Sequence, residues 1–292
     1  MGEQRNTPRV GFIGFGEAGP LIAKGLLDAG LPGPITAFDI RPRPDVDGVV
    51  MARDTAGVLA ASDYIFSAVT ASEALEVAEQ ATPYLKPHHL YMDINSCAPQ
   101  VKQRIAKIVN GTGARFVEIA VMAGVPGLRQ TVPMLLCGKA AGEAITALAP
   151  YGVNMRDFGP EYGRAAATKM FRSVLVKGLE ALIQESVLGA ETYGVSGEVF
   201  SSMNGSYPIT DWEGLAHHML GRTAIHGVRR AHELEEAAET LREIGFEPYM
   251  CEAGAKRIAW LGSRGLKEKF GDKAPEDYRE VVRDVLPKRP KG

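Results

Sequence analysis

The sequence predicts an α/β fold, a doubly wound and mostly parallel sheet followed by an all-α C-terminal domain. Three observations carry the prediction. Short apolar runs alternate with longer amphipathic ones through the first half of the chain. A glycine-rich turn joins the first apolar run to the first helix. Beyond Gly159 the alternation stops, and the three- and four-residue apolar spacing of helices takes over.

The first run, Val10-Gly11-Phe12-Ile13, leads into a helical stretch from Glu17 to Leu27 that stops at Gly30, giving strand, turn and helix. Further strands are expected at Ile35 to Asp39, Asp63 to Thr70, Leu90 to Ile94, Arg115 to Ile119 and Pro133 to Cys137, each followed by a helix or loop. Gly163 to Tyr193 then reads as one helix of about thirty residues, well beyond the ~11–12 of an average globular helix. Trp212 to Met219, Thr223 to Ile244 and Glu252 to Leu261 read as three more, with Gly245 and Pro248 as stop signals. An amphipathic stretch begins at Glu276, and Pro287 to Gly292 reads as a frayed basic tail. A boundary near residue 160 divides the chain into domains 1–160 and 161–292, with no repeat of fixed period.

Composition narrows the function classes. A chain of 292 residues with 45% hydrophobic and 23% charged residues buries one or two cores. Lys and Arg total 33 against 35 Asp and Glu, so the basic surplus that supplies nucleic-acid affinity is missing. The apolar stretch Val117 to Val125 is too short to cross a bilayer, and Leu175 to Leu188 is interrupted by Lys177, Glu180 and Glu185. Neither a nucleic-acid nor a membrane partner is expected. The first nine residues are polar and lack an apolar signal core. Cys97, Cys137 and Cys251 are odd in number and far apart, which fits a reducing, cytoplasmic location. His88-His89, after Pro87 and before a strand, reads as a loop pair and His217-His218 lacks a carboxylate at ligand spacing, so no metal is expected.

Gly14-Phe15-Gly16-Glu17-Ala18-Gly19 is a G-x-G-x-x-G between a strand and a helix. Gly14 permits the tight turn, Gly16 lets backbone approach a pyrophosphate, and Gly19 lets the helix pack on the strand with its first amides facing the anion. Asp39 follows Gly19 by twenty residues, where an acid ends the second strand of such units. Its carboxylate suits the ribose 2'-hydroxyl of NAD and repels a 2'-phosphate, whereas Arg41 and Arg43 would suit NADP. NAD is the expected cofactor, with NADP possible.

Taken with Val10 to Gly19, the segments Asp93-Ile94-Asn95-Ser96 and Gly163 to Lys169 resemble the β-hydroxyacid dehydrogenase family. That group includes 3-hydroxyisobutyrate dehydrogenase, tartronate semialdehyde reductase and 6-phosphogluconate dehydrogenase. Leu220 to Thr223 and His226 to Glu233 are similar to the branch with a phosphogluconate-dehydrogenase-like helical domain. The resemblance implies a Rossmann NAD(P)-binding domain joined by a long helix to a helical domain for substrate binding and dimerisation. It implies a homodimer, with helices of both chains closing each cleft.

The resemblance also assigns residues. Ser96 falls where the family places a polar residue at nicotinamide and substrate, with Asn95 beside it and Val69 and Thr70 along the cofactor. The family's Asp-Ala-Pro-Val-Ser-Gly-Gly motif, whose Ser-Gly-Gly part grips the substrate carboxylate, is replaced here by Glu118-Ile119-Ala120-Val121-Met122-Ala123-Gly124. A thioether cannot donate to a carboxylate, so Met122 with Ala123 and Gly124 points to a bulkier or less polar substrate. The Gly163 and Lys169 spacing matches the family's catalytic lysine, and Ser173 stands where the family has a substrate-binding asparagine.

A lysine so placed takes the hydroxyl proton as hydride leaves, and returns it in the reverse direction. That work requires its pKa to fall from about 10.4 toward roughly 7–8; Arg172 and Lys177 are candidate neighbours. Oxidation of an alcohol β to a carboxylate gives a β-keto acid that can lose carbon dioxide. Arg222, His226, Arg229, Arg230 and Glu233 fall at offsets 0, 4, 7, 8 and 11, mostly along one helix face. They read either as a receiver for a substrate carboxylate or phosphate or as a salt-bridged stripe. His226, Arg230 and Glu233 are the candidate substrate groups, Glu233 and His232 standing nearest to a late Lys-Asp pair of the family. The function expected is an NAD(P)-dependent oxidoreductase for a small-molecule hydroxy acid or its aldehyde or ketone partner. The alternatives are an imine reductase-like enzyme, against which Lys169 argues, and a non-catalytic dinucleotide-binding regulator.

Overall fold

The computed structural model describes residues 7–206, 211–245 and 247–286; the tail expected from Pro287 lies outside them. The chain divides into two compact units, residues 1–169 and 170–292.

In the first unit the strands are β1 (Val10–Ile13), β2 (Ile35–Phe38), β3 (Val49–Met51), β4 (Tyr64–Ser67), β5 (Leu90–Asp93), β6 (Arg115–Val121), β7 (Met134–Cys137) and β8 (Met155–Asp157). They form one sheet in the order β3-β2-β1-β4-β5-β6-β7-β8. Every pairing is parallel except β6 with β7. The order reverses direction between β1 and β4, and in such sheets the crevice beyond the carboxyl ends at that point receives ligands.

The period of two along each strand builds two cores, one on either face of the sheet. Phe12, Phe66, Met92, Val117 and Ile119 pack on one face with Ile22 and Leu26 of helix α1 (Ala18–Asp28) and Ala144 of α5 (Ala141–Leu148). Ile13, Ile65, Tyr91 and Phe116 pack on the other with residues of α2 (Thr55–Ala61), α3 (Ala74–Ala81) and α4 (Pro99–Gly111). Gly11 faces α2, where a Cβ would lie 2.7 Å from the Val58 side chain. The short edge strands β3 and β8 are not apparent in the sequence because three residues carry too little alternation. The strand expected as far as Thr70 ends at Ser67.

Helix α6 (Arg164–Tyr193) begins in the first unit and continues into the second. There it is followed by α7 (Ser196–Ser206), α8 (Trp212–Glu243), α9 (Tyr249–Gly262), α10 (Leu266–Phe270) and α11 (Tyr278–Val285). The two helices expected between Trp212 and Ile244 are one, α8. Gly221 does not break it but admits the Ala274 side chain, 3.1 Å from where its own Cβ would stand. Asp211 caps α8 by accepting the Gly214 amide at 2.7 Å. Ile183, Val187, Ala216, Leu220 and Tyr278 form one cluster of this unit; Met170, Ala231, Leu234 and Ile258 form another.

Helices α8 and α9 cross through two glycines, a Cβ on Gly227 falling 2.6 Å from the Gly262 Cα. Gly227→Ala is therefore expected to lower unfolding free energy by about 1–3 kcal/mol through overpacking. Gly178→Ala in α6, with open space around the new methyl, is expected to raise it by about 0.5–1 kcal/mol. Urea unfolding of the two variants checks both signs.

Candidate active site

The three glycines of the first turn have distinct geometries. Gly14 adopts φ +87°, and a Cβ there would lie 2.4 Å from the Ala68 carbonyl oxygen. A Cβ on Gly19 would press on the Phe15 ring at 3.0 Å, so the helix lies directly on the turn. At Gly16 the nearest atom is a guanidinium nitrogen of Arg43, 3.7 Å away, so the backbone there is open to close approach. The first turn of α1 carries neither a side-chain cap nor an acidic residue. Its amides are presented with Glu17 and Ala18 at the end of the helix that favours an anion. These features fit a dinucleotide pyrophosphate.

Asp39 stands beside this turn just past β2. Its Oδ2 accepts the Phe15 amide at 2.8 Å and its Oδ1 the Arg41 amide at 2.9 Å. The Arg43 guanidinium pairs with Oδ2 at 3.0 Å. Burial alone would push this carboxyl up, but the two amides and Arg43 outweigh it and hold the pKa below the ordinary aspartate value. Arg41 itself is exposed and meets Asp39 through its backbone.

At the carboxyl ends of β4 and β5, Asn95 ties the strands together. Its side-chain oxygen accepts the Val69 amide at 2.7 Å, and its nitrogen donates to the Ser67 hydroxyl at 3.0 Å. The Asn95 amide donates to Asp93 Oδ1 at 2.8 Å. Beneath lies a fully buried ion pair, Lys102 Nζ to Asp93 Oδ1 at 3.0 Å, with the same ammonium donating to the Asp93 carbonyl at 2.9 Å. On this support Ser96 is exposed, as is Thr70, whose hydroxyl lies 3.1 Å from that of Ser72. Cys97 is buried in the core against α4. The sequence reading did not single out Lys102, although a signal was present: Lys102, Ile105, Ala106 and Val109 occupy the spacing of one buried helix face.

Glu118, on β6, is also fully buried. Its two oxygens accept the backbone amides of Gly163 and of Ala166, the latter at 2.7 Å, where α6 begins. Burial pushes the Glu118 carboxyl up, while the two amides pull against that shift. Lys169 follows on α6, half-buried, with Ser173 one turn further along. Met122 packs on a small cluster of Ala120, Leu135, Cys137 and Ala165, which places its thioether near the start of α6. Ala123 and Gly124 beside it are exposed.

In the helical unit the polar stripe of α8 divides. Arg230 is buried and pairs with Glu180 of α6. The Thr223 hydroxyl donates to the same Glu180, and Gln184 donates to Thr223 at 2.9 Å. Lys177 is buried and pairs with Glu233 at 2.7 Å, and Arg229 completes that pair. Desolvation lowers the Lys177 pKa despite Glu233, whose own carboxyl is held low by Lys177 against the upward pull of burial. His226 and Arg222 are half-buried, and Arg222 has no ion-pair partner among the described residues. Burial and the neighbouring Arg229 lower its pKa. His232 is exposed and pairs with Glu235.

Outside the site, the His89 Nδ1 accepts the Lys86 amide at 3.0 Å, a structural role. Among the described residues no group of three or more His, Cys, Asp or Glu is placed to hold a metal, and no helix is long and apolar enough to cross a membrane.

The glycine turn at the switch point of the sheet, the acid beside it and the tied ends of β4 and β5 define a dinucleotide-binding domain of the dehydrogenase type. Residues 9–151 match the NAD binding domain of 6-phosphogluconate dehydrogenase, and residues 190–261 match a domain of unknown function, DUF1932. A conserved hypothetical protein from Sinorhizobium meliloti 1021 is similar over 96% of both chains, with 33% identity and a TM-score of 0.78. The mitochondrial 3-hydroxyisobutyrate dehydrogenase of Drosophila melanogaster is 24% identical over 222 residues, 73% of this chain and 67% of the relative. The Mycobacterium tuberculosis 3-hydroxyisobutyrate dehydrogenase, solved with L-serine, shares the fold at a TM-score of 0.71 and 16% identity, over 97% of this chain and all of that one. The chain belongs to the β-hydroxyacid dehydrogenase family.

Proposed function

We propose that this protein is an NAD(P)-dependent oxidoreductase that moves hydride between the nicotinamide and a hydroxy acid, or its aldehyde or ketone partner. The observation that carries the reading is the turn at Gly14, Gly16 and Gly19, each glycine in the geometry that pyrophosphate binding needs, at the switch point of the sheet. Family membership supports it. The bound nicotinamide supplies or accepts the hydride. Gly14 to Gly19 would hold its pyrophosphate, Asp39 its adenosine ribose, and Val69, Thr70 and Asn95 its path along the strand ends.

Lys169 is the proposed general acid and base. As a neutral amine it takes the hydroxyl proton while hydride leaves the same carbon, and as an ammonium it returns a proton to the carbonyl oxygen in reduction. Ser96 and Ser173 offer hydroxyls to orient the substrate. Met122, packed on an apolar cluster, favours a bulky or aromatic substituent. In the helical unit His226 and Arg222, which has no ion-pair partner among the described residues, are the groups proposed for a substrate anion, and Glu233 an acceptor for a substrate hydroxyl, since Arg230 is committed to Glu180.

The proposed cofactor is NAD, with Arg43 as the group that admits NADP. We read the assembly as a homodimer, because Phe171, Leu175 and Leu182 of α6 are 41%, 72% and 52% exposed along one face. Residues two apart do not share a helix face, so this apolar stripe lies away from Lys169.

The reading is tested by titrating the protein with NADH and NADPH and following nicotinamide absorbance with 3-hydroxyisobutyrate, L-serine, glycerate and aryl-substituted 3-hydroxy acids. Turnover on a panel member supports it, and dinucleotide binding without turnover favours the regulator. Lys169→Ala is expected to keep dinucleotide affinity and lose about 10²–10⁴ in turnover; wild-type turnover would remove Lys169 from the mechanism. Arg43→Ala is expected to leave NADH affinity within about threefold and to weaken NADPH about tenfold or more, the cost of one charge-assisted contact. Light scattering is expected to give the mass of two chains, and that of one chain for Leu175→Glu.

A further inference from the structure

The carboxylate of Glu118 has no access to solvent, and both its oxygens are taken by backbone amides of the turn that starts α6. The turn is fixed from other sides as well. Gly163 adopts φ +97°, and a Cβ there would lie 3.0 Å from Gln103 Nε2 and 3.3 Å from the Pro99 Cβ. Gln103 donates to the Tyr162 carbonyl at 3.1 Å, and the Tyr162 hydroxyl donates to the Phe116 carbonyl at 3.1 Å. Strand β6 and helix α4 therefore clamp residues 162–166 together. The first turn of α6 has no acidic residue of its own, so Glu118 supplies the carboxylate that its positive end favours. Lys102, Asp93 and Cys137 are among the titratable groups that interact electrostatically with Glu118.

Lys169 lies five residues into the helix from Arg164, about 7 Å along its axis. A tilt of about 10° at an unanchored end would move it by about 1 Å, enough to cost on the order of 10²-fold in rate. We propose that Glu118 is a positioning residue for the reaction: a buried carboxylate on the sheet holds, through two amides, the end of the helix that presents Lys169. The proposal rests on the reading of Lys169 as acid and base.

The test compares the full-length wild type with Glu118→Gln and Glu118→Asp. It reads backbone amide exchange at Gly163 and Ala166 and the titration of carbon-13 dimethylated Lys169, whose resonance is assigned by its loss in Lys169→Ala. The carboxamide keeps the size of Glu118 but has one acceptor oxygen and no charge. Glu118→Gln is expected to speed exchange at both amides and to move the Lys169 midpoint to lower pH, because a negative charge that favoured the ammonium is gone. Glu118→Asp keeps the charge but reaches less far, so exchange should rise while the midpoint stays near that of the wild type. With any panel substrate, turnover of both variants should fall about 10- to 100-fold at unchanged NADH affinity.

Wild-type exchange and an unmoved midpoint in Glu118→Gln would overturn the proposal. If that variant cannot be purified, wild-type exchange and turnover in Glu118→Asp would overturn it equally. Undiminished turnover in Lys169→Ala would instead sink the acid–base reading, an outcome separable from the exchange result at Gly163 and Ala166.

Discussion

A carboxylate withdrawn from water must be met by donors, and Glu118 is met by the main chain of another element rather than by a side chain. That constraint joins the sheet to the long helix. It holds in place the turn at Gly163, which only a residue tolerant of positive φ can make there. One strand over, Asp93 is met by Lys102 in the same dry interior. Breaking either arrangement by removing one partner leaves an uncompensated buried group, an outcome far more costly than the interaction's own net contribution. The end of β5 and the middle of β6 are thus tied by buried polar groups where apolar contacts alone would leave more freedom of register.

The helical unit uses buried charge in a different way. Glu180, Arg230, Thr223 and Gln184 form one connected set between α6 and α8, and Lys177 with Glu233 forms a second. Paired charges of this kind add little net stability compared with apolar residues of the same volume. They do fix the register of two long helices whose apolar contacts alone are non-directional.

Much of this was legible in the sequence, for identifiable reasons. The apolar runs of β1, β2 and β4 to β7 and the switch to helical spacing after Gly159 reflect burial on two sheet faces and then on helix stripes. The turn at Gly14 was legible because each of its glycines answers a separate steric demand. Asp39 was legible by its distance from that turn, but its capture by Arg43 was not, since a loop closure between residues four apart has no periodic signature. Arg230 reads as a candidate substrate group or as part of a salt-bridged stripe, because its helix spacing is shared by polar neighbours, and only the packing of α6 shows it turned inward to Glu180. Gly221 lies between the two helices expected there and proves to be a contact inside one. The role of Glu118 was hidden by sequence distance, its two donors lying 45 and 48 residues further along the chain.

The pairing of Asp39 with Arg43 has a thermodynamic corollary. A guanidinium already neutralised by a carboxylate acts as an ion exchanger, so a ligand phosphate that reaches Arg43 must displace one anion to install another. The gain from the new contact is then partly offset by the lost pairing with Asp39, and little counterion is released. Affinity contributed by Arg43 should therefore depend weakly on ionic strength. The displaced Asp39 does not become an orphan charge, because the amides of Phe15 and Arg41 still hold it.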